Sequence, residues 1–561
     1  MAKHPPKPPG SSHPDPNVAS DPAVPVQPLP DTAAMPEAVI NPDTSVKQSS
    51  VLKNALAMAA GTFASRILGL VREVAFAALF TRTVTDAWMA AFRLPNLFRR
   101  LLGEGSLAVS FIPVFVDAHS DNETRTRNLV NGFYTALLII LTVLTTLGIV
   151  FSREVLLVLL DPEYMLVPGK FEMTVRLAQI MFGFIFLMST FAFYMGILNA
   201  LGHFTLPAIA PTLFNVAMII STLIPGTYFP SPGDGLAWGV LVGGALQMGI
   251  LIPELRRRGY FPKLTTKLWS KDIQMVFRNM GPGMIGLGLL QVTTLVNMRF
   301  ATRFGEGALS YISWADRLLE LPLSLISVSL GTALLPMLSK LWTNKDKEKF
   351  SETSEHYLKL NLVMGVFCAA VLYCYALPIV EILFQRGRFT PADSQATADV
   401  VRIYSLVLIP ASCVRVLAPS YYAVKNTWFP AVVAFISLAS HLIAAPLLMD
   451  MYGLPGLNLS SSLSATVNAI CLLVGFQLMI TKFRLGSLMM TLIKVMVATA
   501  PVFLVAETYK WILPDSFFTK VLVLAMLGTL SAAGFILAGK ALGVNEVWDI
   551  LQRLRRRLLK K

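Results

Sequence analysis

Long apolar segments alternate with short polar connections along nearly all of the chain after residue 50. Runs of roughly 20 apolar residues, enough to cross a hydrocarbon core of about 30 Å as a helix, recur about fourteen times. The runs are continuous, which favours helices over the alternating strands of a membrane barrel. The predicted spans lie at residues 52–80, 86–116, 129–151, 173–200, 206–227, 234–253, 276–304, 308–338, 356–384, 397–423, 429–449, 454–480, 487–512 and 519–542.

An internal repeat relates the two halves of this pattern. The segment FAALF at 76–80 recurs as FATRF at 300–304, and thirteen residues after each final phenylalanine an arginine follows, Arg93 or Arg317. The same interval, to within a residue, relates ALGHFTLPA to AVKNTWFPA. A repeat of six spans keeps its orientation in the membrane, so the pattern predicts two lobes related by an axis along the membrane normal.

The sequence therefore predicts an all-α polytopic membrane protein with about fourteen transmembrane helices, arranged as two pseudo-symmetric six-helix lobes around a central cavity plus two C-terminal helices. The first fifty residues are rich in proline and polar groups and lack the order of a signal peptide. The predicted divisions are a disordered cytoplasmic tail at 1–50, a first lobe at 51–256, a second lobe at 257–482, a helix pair at 483–543 and a basic amphipathic cytoplasmic tail at 544–561.

The chain is 54% hydrophobic and only 14% charged, yet its formal net charge is +14. Such a basic balance is typical of nucleic-acid-binding proteins, but the position of the charge indicates a membrane instead. Lysine and arginine gather at 254–272, 339–350 and 481–486 and at the C-terminus, which all fall on one side of the predicted bundle. The positive-inside rule places both termini in the cytoplasm, and no nucleic acid partner is expected.

Charged residues inside the predicted spans are the candidate site. Asp86, Arg93 and Arg100 are seven residues apart, so they share one helix face. An ionisable group at membrane depth costs about 2.5 to 3.5 kcal/mol, which predicts a water-filled or protein-lined cavity around the set. Two other interpretations stay open: arginines near span ends that reach the headgroups, and a purely structural salt-bridge network. The candidate residues are Arg66, Arg72, Asp86, Arg93, Arg99, Arg100, Asp316, Arg317 and Glu320.

The predominance of arginine over lysine points to the chemistry of the cargo. A guanidinium group holds pairs of phosphate or carboxylate oxygens in its planar fork, so we expect an anionic substrate. The charges lie on the first, second and eighth predicted spans, which places the cavity between the lobes.

Several long motifs resemble those of one transporter family. They are SRILGLVRE, DAWMAAFRLPNLFRRLLGEGSLAVSFIPVF, GILNALGHFTLPAIAPTLFN, ADRLLELPLSLISVSLGTALLPMLS, LFQRGRFT and RVLAPSYYA. Over residues 52–540 the chain is similar to the MurJ (MviN) family of lipid II flippases, in the multidrug/oligosaccharidyl-lipid/polysaccharide exporter superfamily. The resemblance implies fourteen helices, with a final pair forming a groove for a lipid tail. By motif matching it puts Arg66, Arg72, Arg99, Arg317 and Asp86 on cavity positions of the family, Asp316 and Glu320 on acidic positions, and Arg93 on a basic one.

The resemblance also implies a function. It is the movement of undecaprenyl-pyrophosphoryl-linked disaccharide pentapeptide from the inner to the outer leaflet of the bacterial cytoplasmic membrane by alternating access, for peptidoglycan synthesis. Lipid II and membrane lipids are then the expected partners, with the peptidoglycan synthesis machinery as a further candidate. We expect no enzymatic activity, no metal site and no cofactor. Coupling to a membrane potential or an ion gradient stays open, and no convincing sodium-binding set is found on the spans where part of the family has one.

Three rival functions fit parts of the sequence. A flippase for another polyprenyl-pyrophosphate-linked oligosaccharide, such as an O-antigen or exopolysaccharide unit, would need the same cavity. A multidrug cation antiporter of the same superfamily is disfavoured, because an arginine-lined cavity repels organic cations. A membrane glycosyltransferase or phosphatase would need a metal site or paired acid and base, and the six histidines are scattered along the chain.

Overall fold

The computed structural model describes residues 48–101, 107–482, 484–512 and 516–547. These residues form helices joined by short connections, and no β-strand occurs among them. The predicted N-terminal tail falls almost entirely outside the described residues, as does most of the predicted C-terminal amphipathic helix. The predicted boundaries between tails, lobes and helix pair stay predictions.

The first part of the chain folds into ten α-helices, with short 3-10 turns at Pro162–Leu166 and Gly226–Tyr228. The helices are α1 (Gln48–Leu79), α2 (Arg82–Arg99), α3 (Leu107–Asp121), α4 (Glu123–Val150), α5 (Ser152–Leu159), α6 (Lys170–Met181), α7 (Gly183–Ala200), α8 (Thr205–Leu223), α9 (Asp234–Gly249) and α10 (Ile252–Arg257). We call this set the first lobe.

The second lobe and the last helices follow. The second lobe consists of α11 (Lys271–Ala301), α12 (Ala308–Thr343), α13 (Lys347–Phe384), α14 (Pro391–Ser405), α15 (Leu408–Ala423), α16 (Trp428–Tyr452) and α17 (Leu454–Met479). The last helices are α18 (Leu485–Ala498), α19 (Ala500–Glu507), α20 (Tyr509–Ile512) and α21 (Phe517–Ala541).

Many of these helices match the thickness and apolar character of a bilayer. Nine described helical segments are long and apolar enough to cross a membrane, and α14 with α15, bent by 42°, would make a tenth. The chain is therefore a multi-pass helical membrane protein. The predicted total of about fourteen spans stays a prediction. The helix α2 lies outside the apolar set because it carries Arg82, Asp86, Arg93 and Arg99 within its 18 residues.

The repeat is visible where the two lobes meet. Asp86 on α2 and Ser310 on α12 are separated by the same interval as the repeat-related Arg93 and Arg317. Their side chains touch, since the Ser310 hydroxyl donates to Asp86 Oδ1 at 2.6 Å. Two equivalent positions in contact require that the pseudo-symmetry axis pass between α2 and α12. These two helices therefore line the middle of the molecule.

The helix α11 belongs to the second lobe by the repeat but is anchored to the first lobe at both ends. At its start Asp272 accepts from Arg125 on α4 at 2.7 Å. At its end Arg299 donates to the Val158 and Leu160 carbonyls at 2.7 and 2.8 Å. Because α11 also packs on α16 and α17 of its own lobe, it contacts both lobes.

Candidate functional site between the two lobes

The arginine of α1 nearest the middle of the site is held by a hub of polar groups. Arg72 lies seven residues before the end of α1, about 10 Å along the helix. Its guanidinium donates to Asn215 Oδ1 of α8 at 3.1 Å and to Glu73 Oε1 at 2.6 Å. The Asn215 amide in turn donates to the Ser65 carbonyl oxygen at 2.9 Å. The hub fixes Arg72 in position and satisfies two of its donors.

A second arginine reaches this hub from the other lobe. Arg317 lies nine residues after the start of α12, about 14 Å along it. Its Nη2 is 3.6 Å from Glu73 Oε1, and its Nη1 donates to Glu320 Oε2 at 2.9 Å. Glu73 therefore stands between an arginine of each lobe and partly neutralises both. This ion-pair chain is one polar link between α1 and α12.

An accessible space lies between α1 and α12. Arg66 donates to the Ser324 hydroxyl at 3.3 Å, and this contact also joins the two lobes. The side chains of Arg317 and Glu320 are 46% and 59% exposed although they lie well inside a long helix, and Arg317 reaches Glu73 of the opposite lobe. Side chains that cross an interface and remain exposed border an opening. We call this opening the interlobe space, bordered by Arg66, Glu73, Arg317, Glu320 and Ser324.

The helix α2 contributes one charged residue at the same depth. Arg93 and Asp316 of α12 interact electrostatically, and the Tyr404 hydroxyl of α14 hydrogen-bonds to the same carboxyl group. This second ion pair also links the lobes. Arg99 donates to Asn96 Oδ1 at 2.9 Å within its own helix, and Arg100 is exposed at the end of α2. These two arginines lie about two helical turns further from the start of α2 than Arg93.

Asp86 lies apart from the interlobe space, in a buried contact near the start of α2. Its carboxylate is 1% exposed and accepts from Lys170 Nζ at 2.9 Å. It also accepts from the backbone N–H groups of Gly307 and Ser310 at 2.6 and 3.0 Å, at the start of α12. With this many donors, the hydrogen-bonding capacity of the buried carboxylate is largely satisfied. Asp86 thus joins α2 and α6 of the first lobe to α12 of the second.

An aromatic cage closes the same end of the molecule. The Arg82 guanidinium of α2 lies 4.8 Å from the Trp314 ring centroid and 5.1 Å from that of Phe389, both in the second lobe. Its Nε is 3.9 Å from Asp393 Oδ2, and Tyr311 donates to the same carboxylate at 2.6 Å. Cation–π contacts of this kind strengthen when the cation is desolvated, as Arg82 is here.

Backbone contacts complete the closure. The Arg388 N–H, in the connection between α13 and α14, donates to the Ala78 carbonyl oxygen of α1 at 2.7 Å. The neighbouring Gly387 has a φ of 59° and presses against the same carbonyl, so a Cβ at this position would overlap it. We call the closed contacts at this end of the molecule the end seal; its residues are Ala78, Arg82, Asp86, Lys170, Gly307, Ser310, Tyr311, Trp314, Gly387, Arg388, Phe389 and Asp393.

The candidate residues thus fall into four places. Arg66, Arg72, Arg317 and Glu320 meet at the interlobe space, Arg93 and Asp316 pair beside it, Asp86 belongs to the end seal, and Arg99 and Arg100 lie at the far end of α2. The sequence did not point to Asn215 and Lys170, which hold Arg72 and Asp86, or to Arg82 and Asp393 of the end seal. Lys170 had one available indication, its position three residues before the predicted span at 173–200, but a basic residue at a span edge also fits a headgroup contact.

No group of three or more metal-ligating side chains able to hold a metal ion occurs among the described residues. The absence of a metal or cofactor in the working protein stays an expectation.

Two helical lobes with a charged, accessible space between them and a closed contact at one end define a two-lobed membrane transporter. The family described as lipid II flippase MurJ matches residues 76–528. That range is well over half of the chain, so the chain belongs to the lipid II flippase MurJ family.

Named relatives and solved structures agree with this assignment. A probable lipid II flippase MurJ of Bdellovibrio bacteriovorus is 51% identical over 84% of this chain and 90% of its own length. The lipid II flippase MurJ of Burkholderia cenocepacia is 31% identical over 76% of this chain and 84% of its own. A solved lipid II flippase MurJ in an inward closed conformation has a TM-score of 0.70 at 22% identity, over 87% of this chain and 99% of its own.

The fold extends to a wider group. An inward-facing multidrug resistance MATE family transporter of the MOP superfamily has a TM-score of 0.61 at 13% identity, over 76% of this chain and 95% of its own. At this identity the likeness concerns the fold alone. It supports the predicted all-α membrane fold.

Proposed function

We propose that this chain moves lipid II, the undecaprenyl-pyrophosphoryl-linked disaccharide pentapeptide, from the inner to the outer leaflet of the bacterial cytoplasmic membrane for peptidoglycan synthesis. Membership of the lipid II flippase MurJ family supports the substrate. The single structural observation that carries the proposal is the interlobe space, which is bordered by accessible arginines of both lobes.

The arginines of the interlobe space fit a pyrophosphate. Arg66 is exposed and Arg317 is half-exposed, so both have donors that a ligand can reach. A guanidinium binds two phosphate oxygens at once, and charge-assisted hydrogen bonds of this kind are about twice as strong as neutral ones. Arg66 and Arg317 belong to opposite lobes, so a diphosphate bound to both would draw the lobes together. Arg72 adds positive charge from behind the Asn215 hub.

The carboxylates would hold the arginines when no cargo is bound. Glu73 and Glu320 satisfy Arg317 in the present structure at 3.6 and 2.9 Å. A pyrophosphate entering the space would take over these donors, and the carboxylates would reclaim them after release. This exchange limits the cost of keeping an empty cationic space at membrane depth. The same exchange lowers the net free energy gained when the cargo binds, which favours its release on the outer side of the membrane.

Alternating access follows from the position of the end seal. The seal joins the lobes near the starts of α2 and α12, so the cargo must enter from the opposite end. That end carries the basic connections around 254–272 and 339–350, which the positive-inside rule assigns to the cytoplasm. In this orientation both termini are cytoplasmic, the headgroup is taken from the inner leaflet, and opening of the seal would release it outside.

The proposed cycle needs no chemical step and no cofactor, so we do not expect enzymatic activity. A carrier whose two states bind the cargo equally gains no direction from binding alone. Direction must come from consumption of lipid II outside, from the membrane potential or from an ion gradient. The peptidoglycan synthesis machinery is the candidate that would consume the product.

Reconstitution of the full chain with labelled lipid II tests the proposal. We expect labelled headgroups to become accessible on the opposite face of the vesicle with the wild type. Arg317→Ala should reduce this movement at least about tenfold, the equivalent of 1.4 kcal/mol of lost binding to the moving headgroup. Arg303→Ala is the matched control, because Arg303 pairs with Asp450 on the exposed surface at 3.3 Å.

Two outcomes would contradict the proposal. Normal movement of lipid II by a correctly inserted Arg317→Ala variant would exclude binding of the pyrophosphate by Arg317. Equal movement of an O-antigen or exopolysaccharide precursor, with rescue of a strain lacking its own flippase for that precursor but no rescue of a strain depleted of its lipid II flippase, would reassign the substrate.

A further inference from the structure

Arg82 of the end seal is a buried arginine with hydrogen-bond donors that the closed seal leaves unused. Its side chain is 10% exposed. Its Nη2 donates to the Ala77 and Phe80 carbonyl oxygens at 2.6 and 2.8 Å, where α1 ends. Its Nε and Nη1 are buried and donate to no oxygen of the described residues. Buried polar groups almost always have a partner, so the N–H groups of these two atoms are an exception that needs a physical reason.

Asp393, the ion-pair partner of Arg82, does not supply the missing acceptor. Its Oδ2 lies 3.9 Å from Nε, which is beyond hydrogen-bonding distance. Oδ2 accepts instead from the N–H and the hydroxyl of Thr390 at 2.8 and 2.9 Å, and Oδ1 accepts from the Tyr311 hydroxyl at 2.6 Å. Thr390 and Asp393 form the capping box of α14, so this carboxylate is engaged at the start of its own helix. The closed seal thus attracts the cation without using all of its donors.

The groups around Arg82 are divided between the two lobes. The carbonyl oxygens of Ala77 and Phe80 that anchor its Nη2 are next to it in the first lobe. The two aromatic rings over the guanidinium and the Asp393 carboxylate belong to the second lobe. When the lobes part at the end seal, Arg82 therefore stays with the first lobe and loses both rings and its carboxylate. Opening leaves its unused donors on the wall of the exit.

The other acidic groups of this region do not neutralise the uncovered arginine. Asp86, one turn further along α2, pairs at 2.9 Å with Lys170 of α6. Both residues belong to the first lobe, so this pair stays together. Glu306, which hydrogen-bonds to Thr83, lies two residues before α12 and leaves with the second lobe. Opening of the seal therefore produces a net positive charge around Arg82.

Arg82 also lies on the helix face that leads back to the interlobe space. Arg82 and Arg93 are separated by three helical turns of α2, so their side chains share one face. The distance between them along the helix is about 16 Å. Arg93 interacts with Asp316 beside the interlobe space. Because α2 and α12 line the middle of the molecule, a headgroup that moves from the interlobe space toward the end seal follows this face and meets Arg82 at its end.

We propose that Arg82 is a second cargo-binding arginine, which binds the diphosphate of the lipid-linked headgroup at the outer exit once the end seal has opened. This inference rests on the proposed function, because it assigns a further contact to the same cargo. Phosphate oxygens accept charge-assisted hydrogen bonds from the donors that the closed seal leaves unused. The second-lobe cage and the cargo compete for the same cation, so the seal forms again only after the diphosphate has left.

The first experiment uses the wild-type chain in vesicles, with and without lipid II, and inorganic pyrophosphate as the probe. A membrane-impermeant dicarbonyl reagent that modifies accessible arginine side chains is added at the face that carries the end seal. Modification of each arginine is measured by peptide mass spectrometry, with and without pyrophosphate. Arg303 is the internal control, because it lies at the same end of the molecule and pairs with Asp450 on the exposed surface.

We expect Arg82 to be modified slowly, as the seal opens, and pyrophosphate to protect it. Modification should fall to about a tenth at about ten times the pyrophosphate concentration that gives half protection, the behaviour of one binding site. Modification of Arg303 should stay unchanged. A Thr83→Cys chain is labelled with a thiol reagent in parallel, and its labelling should not fall with pyrophosphate, which shows that the seal still opens.

Three results would overturn the site. They are an Arg82 that stays unmodified with and without lipid II, equal modification with and without pyrophosphate, and protection that is matched by a fall in labelling of Thr83→Cys. The last result would mean that pyrophosphate closes the seal and does not bind Arg82.

The second experiment separates binding of the cargo from closure of the seal. Arg82→Gln removes the cation, so labelling of Thr83→Cys in the same chain should increase because the cage is lost. A role in closure alone predicts headgroup movement that is unchanged or faster. We expect lipid II movement to be slower by at least about tenfold despite the greater access, with Arg303→Gln as the matched control.

Movement by Arg82→Gln at or above the wild-type rate, or slow movement with reduced access at Thr83→Cys, would overturn the role of Arg82 in the cycle. If the wild type itself moves no lipid II, the proposed function is contradicted. Protection of Arg82 by pyrophosphate in vesicles without lipid II then decides alone whether the anion site exists.

Discussion

Arg72 shows how a single charged residue is held inside the helical bundle. Its donors are divided between a neighbouring carboxylate and an amide of α8, and that amide is itself anchored to the backbone of α1. The guanidinium is 12% exposed, so its charge acts on the interlobe space without occupying it. Arg317 is placed differently, because it reaches across the interface and remains open to a ligand.

Glu73 should control how tightly the space holds an anion. Glu73→Gln removes the carboxylate that faces Arg72 and Arg317, so both arginines gain free donors. We expect lipid II to bind up to about tenfold more tightly, or 1.4 kcal/mol, and to move more slowly because release is impaired. Equilibrium binding and headgroup movement, measured on the same preparation, separate the two effects. Weaker binding by this variant would contradict the role of Glu73 as a competitor of the cargo.

The pair of Asp86 and Lys170 should be a major source of stability. Both side chains are almost fully buried, so Lys170→Met leaves the Asp86 carboxylate without its cation. We expect a loss of about 3 to 5 kcal/mol in the free energy of unfolding. The double variant Asp86→Asn, Lys170→Met removes both charges and should recover part of that loss. Unfolding in detergent, followed by helix content, measures both; equal stability of Lys170→Met and the wild type would show that the pair is not buried as described.

The sequence predicted some of these residues and not others for definite physical reasons. Arg66, Arg72 and Arg317 stand out because an ionisable residue in an apolar run is costly and rarely lacks a purpose. Asp86 stands out equally, but its partners come from α6 and the start of α12, and the sequence does not tell which distant elements approach it. Lys170 was missed because it precedes the predicted span at 173–200 and resembles a residue at the membrane surface.

At the scale of helices, the repeat was the most informative pattern. It indicated that α2 and α12 are equivalent, and the contact between Asp86 and Ser310 shows that these helices meet at the axis. The anchoring of the end of α11 to the first lobe was not foreseeable, because it depends on carbonyl groups of Val158 and Leu160 that carry no side-chain information. A repeat predicts which elements correspond, but not which lobe a boundary helix follows.

The connection between α13 and α14 should determine whether the end seal closes. Gly387→Ala places a Cβ against the Ala78 carbonyl oxygen and also strains a backbone with φ of 59°. We expect the variant to favour the state open at this end and to slow turnover. Cysteine labelling at Thr83, beside the seal, would report increased access. Gly453→Ala is the matched control: it has a similar φ of 65° but no atom near its added Cβ, and unchanged seal access is expected for it.

At the scale of the whole molecule, the contacts between the lobes differ in strength between the end seal and the interlobe space. The end seal combines a buried ion pair, a cation–π cage and backbone hydrogen bonds, all between lobes. The interlobe space is joined by ion pairs that are partly exposed and therefore weaker. A molecule built in this way opens to the cargo at one end while the other stays shut, and release requires the stronger contacts to break.

The most direct test is to lock the end seal reversibly. Thr83 and Glu306 hydrogen-bond across the lobes beside the seal, so cysteines at both positions, in a chain whose four native cysteines are replaced by serine, should form a disulfide. In vesicles with labelled lipid II we expect oxidised protein to bind the lipid without moving its headgroup, and reduction to restore movement. Movement at the wild-type rate while the disulfide is intact would contradict alternating access through this seal.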